Sequence, residues 1–228
     1  MSGSDAPRSG KKTPESPARV ELVCTGAELL SGHTTNTHAR LLGEQLGPLG
    51  LALSRETSVP DQVSEIIAAV REARNRAEVV FVTGGLGPTS DDVTREALAE
   101  LFGCGMVVDP VALTVIHERC ARTGREPTPS RERQALILEN ATALANSAGL
   151  APGEWIERPD GLLILLPGPP REFRAVLLEE VLPRLRNRFP NLAFRQAVFR
   201  ICGLAESDLV EALQREGFDA GRAEFACC

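Results

Sequence analysis

The 228-residue chain carries a formal net charge of -6, a pI near 5.3 and 43% hydrophobic residues, enough apolar material for one main core. No apolar run approaches the roughly 18 residues that span a bilayer, so no membrane contact is expected. The acidic balance argues against a nucleic-acid partner held by its phosphates, since that mode needs a basic surface.

The opening segment MSGSDAPRSGKKTPESPAR is rich in Ser, Pro, Gly and Lys and has no apolar signal-peptide core. Residues 1–17 are therefore expected to be a disordered tail, and the protein to be cytoplasmic. The run VELVCT, 20–25, is short, apolar and β-branched, and it breaks at Gly26 as a buried strand would. Asn36 can cap the next helix, whose Leu41, Leu42, Leu46 and Leu49 fall at helical spacing. A second strand covers about 51–57.

After Pro60 and Asp61, the side chains Val63, Ile66, Ile67 and Val70 share one helical face, while Glu65, Arg71 and Glu72 take the other. EVVFVTGG, 78–85, is a buried strand running into glycines, and DVTREALAELF, 92–102, forms a helix. A less regular stretch holds a helix over about 110–122 and a Pro-rich break at 126–129. GLLILLPG, 161–168, is a further buried strand, and 170–188 a helix with Phe173, Val176, Leu177 and Val181 inward. Alternating strands and helices of this kind imply an α/β fold with a mostly parallel sheet covered on both faces. The last residues, with a strand near 194–201 and a helix near 206–216, begin a separate small unit, and no internal repeat is present.

In open parallel sheets ligands collect at the carboxyl ends of strands. Three punctuated loops fall there: TGAELLSG, TGGLGPTSDD and LPGPPREF. In the second, Gly84, Gly85 and Gly87 let the backbone approach a ligand, and their amides with the next helix N-terminus form an anion nest. The plain alternative is a tight turn with Ser90 or Asp91 capping a helix. Asp91 and Asp92 beside such a nest would repel a bare anion, a conflict resolved by a divalent metal such as Mg²⁺ between carboxylates and substrate. Glu28 is either a site residue or simply exposed, and Asp61 either a site acid or a helix-start residue. Gly168 belongs to a rigid Gly-Pro loop, and Arg171 either clamps phosphate or sits in a helix first turn. His33, His38 and His117 form no motif and are read as solvated or core-edge residues. The six cysteines lack zinc spacing and are expected to be buried free thiols.

These segments, in this order, resemble the N-terminal domain of the CinA family, itself similar to the MoaB/MogA molybdopterin-binding fold. TGAELLSGHTTNTHARLL is similar to the family's opening segment, and VPD, TGGLGPTSDDVTREA, RQA, N-x-x-G-x-A-P-G and LPG-x-P-x-E follow at family-like intervals. The resemblance covers about 20–185 and implies a three-layer α/β/α domain over 18–190. Residues 191–228 are then similar to the start of the small middle domain.

The resemblance further implies homo-oligomerisation and a metal-dependent pyrophosphatase acting on ADP-ribose, with Asp61 and Asp92 as catalytic acids. Asp61, Asp91 and Asp92 are the expected metal carboxylates. Glu28, Asn36, Thr83, Gly84, Gly85, Gly87, Thr94, Gly168 and Arg171 are the expected ligand contacts. Arg131 and Leu150 depart from the family pattern and bear on substrate choice. Two other readings use the same pocket: a non-catalytic module for a pterin or nucleotide, and a molybdopterin adenylyltransferase.

Overall fold

The computed structural model describes residues 18–190 and 199–218. The chain divides into two units, Met1–Arg195 and Gln196–Cys228. The expected tail at 1–17 lies outside the described residues, as does most of the expected strand at 194–201, of which 199–201 carry no strand. The second unit contributes one helix, α9 (Glu206–Arg215), with no buried residues of its own.

The first unit opens with β1 (Ala18–Thr25), the single turn α1 (Ala27–Leu30), α2 (His38–Leu46) and β2 (Leu51–Val59). It continues through α3 (Val63–Arg74), β3 (Val79–Thr83), α4 (Thr94–Phe102), β4 (Met106–Val108), α5 (Pro110–Thr123), the short α6 (Pro129–Glu132) and β5 (Leu136–Leu138). It closes with β6 (Thr142–Leu144), β7 (Gly153–Arg158), β8 (Gly161–Leu166), α7 (Pro170–Val176) and α8 (Leu182–Arg188). A π-helical turn over Leu177–Val181 joins the last two helices. Pro183 lies just beyond it and would clash with a regular α-helical carbonyl four residues back, a conflict that a widened turn relieves.

The main sheet runs β2-β1-β3-β8-β7-β6. β2, β1, β3 and β8 pair in parallel, and β7 and β6 continue antiparallel. The sheet is thus mostly parallel, as expected, but the hairpin β7–β8 and the short β4–β5 pair are additions. The segment 146–153, read as a loop, leads directly into β7.

Strand alternation divides the core between the two faces. Val20, Leu22 and Cys24 of β1, Val79 and Phe81 of β3, and Leu162 and Ile164 of β8 pack with Leu42 and Leu46 of α2 and Phe173 and Val176 of α7. Val23, Val80, Val82, Leu163 and Leu165 face the other way, onto Ile66 and Val70 of α3 and Ala97 and Leu98 of α4. The result is helix, sheet, helix in three layers. Glu21, 3% exposed on β1, is one of the charged residues buried here, and Arg76 satisfies both of its carboxylate oxygens at 2.8 Å.

From β1 the chain crosses to edge strand β2, and from β3 it passes to β8 on the opposite side. β1 and β3 are adjacent, so their carboxyl ends define the switch point of the sheet. Loops diverging there leave a crevice, the ordinary ligand position in an open α/β sheet.

Candidate active site

A cavity of about 500 Å³ occupies that crevice, within the range of small-molecule sites. Its wall includes Gly26, Glu28, Asn36 and His38 from the β1–α2 connection, Asp61 after β2, and Thr83–Gly87, Asp91 and Asp92 after β3. Gly168 and Glu172 come from the β8–α7 junction. Of the expected contacts, Thr94 and Arg171 are not on this wall. Thr94 is buried behind the loop, and Arg171 is exposed, so the side chain proposed to clamp phosphate does not reach the pocket.

The glycine loop is held from within. Thr94 Oγ1 donates to the Gly84 carbonyl at 2.8 Å, Thr94 N–H to the Gly85 carbonyl at 3.3 Å, and Thr83 Oγ1 to the Pro167 carbonyl at 3.1 Å. Gly84 has φ +100°, and a Cβ there would sit 2.4 Å from the Thr25 carbonyl oxygen. Gly85 has φ +64°, and its Cβ would meet Thr94 Oγ1 at 2.2 Å. Both glycines are therefore required by close packing of the loop on itself and on β1, beyond any ligand.

The Gly84 amide is consumed by the Leu166 carbonyl at 3.2 Å. The amides of Gly85, Leu86 and Gly87 have no hydrogen-bond partner among the described residues. The anion nest is narrower than expected, and it starts one residue later.

Neither Ser90 nor Asp91 caps α4: the N-cap is Val93, with no side-chain hydrogen bond. Asp92 instead closes the turn, accepting the Thr89 N–H at 2.8 Å and the Thr89 hydroxyl through one carboxylate oxygen. Asp61 does not cap α3 either, since its Oδ2 accepts the Ala27 N–H at 3.0 Å and ties the loop after β2 to the loop after β1. Burial lifts the Asp61 carboxyl above its ordinary value, against the pull of that N–H, and the charges of Glu28, Asp91 and Asp92 add to the rise. Acids from the loops after β1 and β3 thus act on Asp61 across the crevice. Glu28 is exposed as well as lining the wall.

Asn36 is not the N-cap of α2, which is Thr37. Its Oδ1 accepts the His38 N–H at 3.0 Å, while its Nδ2 donates to Glu56 on β2 and to Cys24 Sγ on β1. The Cys24 thiol is pushed up to about 12, chiefly by burial, and is inert, and Cys120 is buried too, whereas Cys104 is half-buried and Cys202 exposed, against the expectation of buried thiols.

Three supports lie within the quoted motifs without a role having been assigned to them. Arg95, on the buried side of α4, pairs with the fully buried Glu154 of β7 at 2.7 Å and donates to the carbonyls of Leu86 and Pro152 at 3.0 and 3.2 Å. Glu154 also accepts the Leu138 N–H at 2.9 Å, leaving no uncompensated charge. Arg133 donates to the carbonyls of Thr89 and Asp92 at 2.7 and 2.8 Å and to Glu96 at 2.6 Å, bracing the acidic turn from outside. Asn146 donates to Glu172 at 2.7 Å, which joins the 146–153 loop to the start of α7. Local sequence shows Arg95 only as one charge on an amphipathic helix; its partner is 59 residues away.

No Lys or Arg among the described residues lines the cavity, while Glu28, Asp61, Asp91, Asp92 and Glu172 do. Also among the described residues, no three His, Cys, Asp or Glu side chains form a ready-made metal cage. The donor set nonetheless suits a hard divalent ion such as Mg²⁺, which commonly takes one or two carboxylates and completes its shell with water and substrate phosphate oxygens.

Residues 21–187 match the family described as probable molybdopterin binding domain. The chain is 40% identical over 195 residues to a competence-damage inducible protein of Bacillus cytotoxicus, covering 86% of this chain and 47% of that protein. It is 41% identical over 198 residues to a CinA-like protein of Gemmatimonas aurantiaca, covering 85% and 46%. The chain belongs to this molybdopterin-binding domain family. It spans about half the length of the curated CinA-like relatives it matches.

Among solved structures, the CinA protein of Thermoplasma acidophilum aligns at 33% identity and TM-score 0.66, covering 74% of this chain and 99% of that one. A molybdopterin biosynthesis protein from Mycobacterium abscessus aligns at 20% identity and TM-score 0.50, covering 77% and 96%, and shares the fold. The three-layer arrangement is thus the family's architecture. Among the described residues no helix is long and apolar enough to cross a membrane.

Proposed function

We propose that this domain binds a nucleoside diphosphate compound, with ADP-ribose as the leading candidate, and hydrolyses its diphosphate bond to AMP and ribose 5-phosphate with a divalent cation. The observation that carries this reading is the meeting of unpaired loop amides with Asp61 and the carboxylates that act on it on one cavity wall, with no Lys or Arg among the described residues lining it to neutralise a polyanion. A diphosphate bound there is accommodated by the amides of Gly85, Leu86 and Gly87.

Asp92 and Asp61, with Asp91 at the rim, are the residues that would hold the cation, which when bound supplies charge neutralisation at the phosphate oxygens and acidifies a coordinated water. Asp61 has one carboxylate oxygen outside its bond to Ala27, and its raised proton affinity suits it to accept the proton of the attacking water. Water oxygen bonds to one phosphorus, the bridging P–O bond breaks, and the released phosphate oxygen carries the other product. Thr89 and Arg133 hold the Asp92 turn so that its carboxylate stays at the nest.

ADP-ribose turnover with and without Mg²⁺ or Mn²⁺, compared in the parent and Asp92→Ala, tests the reading. A fall of roughly 100-fold or more in the variant is expected from loss of such a group. Equal rates would remove Asp92 from the mechanism. Binding without turnover is the second reading, favoured by the lack of a preassembled three-ligand cage among the described residues. Tight binding of a pterin or nucleotide with no product would establish it, and consumption of ATP with molybdopterin would point to adenylyl transfer instead.

A further inference from the structure

His38 opens α2 and is 7% exposed. Its ring stacks on Phe173 of α7, with centroids 4.2 Å apart and planes at 21°. It lines the cavity, yet neither Nδ1 nor Nε2 makes a hydrogen bond of ordinary geometry among the described residues, the Gly168 backbone being only a weak neighbour. Of the side chains on that wall, it is the one whose buried polar atoms are left unpaired among the described residues. A phenyl ring would stack on Phe173 as well and avoid the desolvation cost, so packing does not account for an imidazole here. An unsatisfied buried polar group of this kind calls for a functional explanation.

Burial pushes the His38 ring below its ordinary value, against the smaller hydrogen-bonding pull of the Gly168 backbone. A neutral imidazole offers one N–H donor and one acceptor and no charge. It is a poor partner for phosphate and a good one for a neutral edge that both donates and accepts. Glu28, Asp61, Asp91, Asp92 and the free amides lie in the loops after β1, β2 and β3, whereas His38 stands on the side of Asn36 and the Gly168 and Pro169 turn, where Glu172, bonded to Asn146, is the one lining carboxylate.

We propose that His38 is a specificity residue that recognises the neutral heterocycle of the ligand, a nucleobase or pterin edge, while the phosphates occupy the amide and carboxylate rim. Both ring nitrogens are shielded from solvent, so recognition requires the ring to turn toward the cavity as the ligand enters. The choice of probes rests on the nucleotide reading above; the unpaired imidazole does not.

The test is His38→Phe, which keeps the stack and removes both nitrogens, with His38→Gln to restore a donor and an acceptor. Calorimetric titration of ADP-ribose, adenosine, pterin and ribose 5-phosphate, each with Mg²⁺, separates the base from the phosphate. His38→Phe is expected to melt no lower than the parent and to bind ADP-ribose and either adenosine or pterin about ten-fold more weakly. Ribose 5-phosphate affinity should not change, and His38→Gln should recover part of the loss. Whichever of adenosine and pterin responds identifies the heterocycle.

Unchanged ADP-ribose affinity in His38→Phe overturns the inference alone, as does a loss shared equally by ribose 5-phosphate. A lower melting temperature for His38→Phe would show that the nitrogens are bonded within the protein, which also overturns it. If the parent binds none of the four probes, the nucleotide reading and this inference fall together. Imidazole nitrogen shifts of the parent on titration provide a second measurement: movement with ADP-ribose supports the contact, and no movement refutes it.

Discussion

The two rims of the cavity are built on different principles. The loops after β1, β2 and β3 concentrate Glu28, Asp61, Asp91 and Asp92 around unpaired amides, and their shape depends on glycines packed too closely for a Cβ. The rim formed by the start of α2 and the loop after β8 presents Asn36, His38, Gly168 and Pro169, with the Glu172 carboxylate tied back by Asn146. One rim is organised around charge and the other around neutral polar shape. A ligand with a charged end and an uncharged ring end matches that division, and substitutions on the two rims should therefore separate phosphate binding from ring recognition.

The severest way to break the charged rim is from behind it. Glu154→Gln leaves the buried Arg95 guanidinium without its carboxylate partner, and loss of a buried pair of this kind costs about 3–5 kcal/mol. Urea denaturation should register that loss, and because Arg95 also holds the Leu86 carbonyl, phosphate affinity should fall even where the protein remains folded. Gly85→Ala comes next. A left-handed φ costs an alanine about 1–2 kcal/mol before any clash with Thr94 is counted, so both the unfolding midpoint and ribose 5-phosphate affinity should drop.

Asp61→Asn sharpens the comparison through pH. Because the folded-state carboxyl is raised above its ordinary value of 3.8, the folded protein binds its proton more tightly than the unfolded chain does. This contribution to stability is then lost as pH rises from 3.8 through the raised value. The asparagine retains an acceptor for the Ala27 N–H and does not ionise. Its stability relative to the parent should rise across that window and level off above it, read from urea midpoints at successive pH values, while hydrolysis is lost. Arg171→Ala is the smallest change: an exposed side chain off the cavity wall, its removal should shift stability by no more than about 0.5 kcal/mol and leave ADP-ribose affinity unaltered in calorimetry.

Short-range pattern was sufficient for β1, α3, β3, β8 and the helical stretch after Pro170, because each carries its burial in its own periodicity. It was also sufficient to place Asp61, Asp91, Asp92 and the glycine loop at strand ends, since the alternation of strands and helices determines where loops emerge. β4, β5 and β6 are three residues each, too short for a period to register, and β7 holds its place through pairing with β8.

Tertiary structure alone decided what each site residue touches. Asp61 could equally have capped its own helix; proximity to Ala27 across the sheet drew it to the crevice instead. Arg95 reads as a solvated helix charge until β7 brings Glu154 beneath it, and His38 reads as a core-edge ring until Phe173 fixes it at the cavity with no hydrogen bond of ordinary geometry to its nitrogens among the described residues. Periodicity encodes which face is buried; hydrogen-bond partners and charge neighbours are set by strand order, which brings together residues that have no local relation.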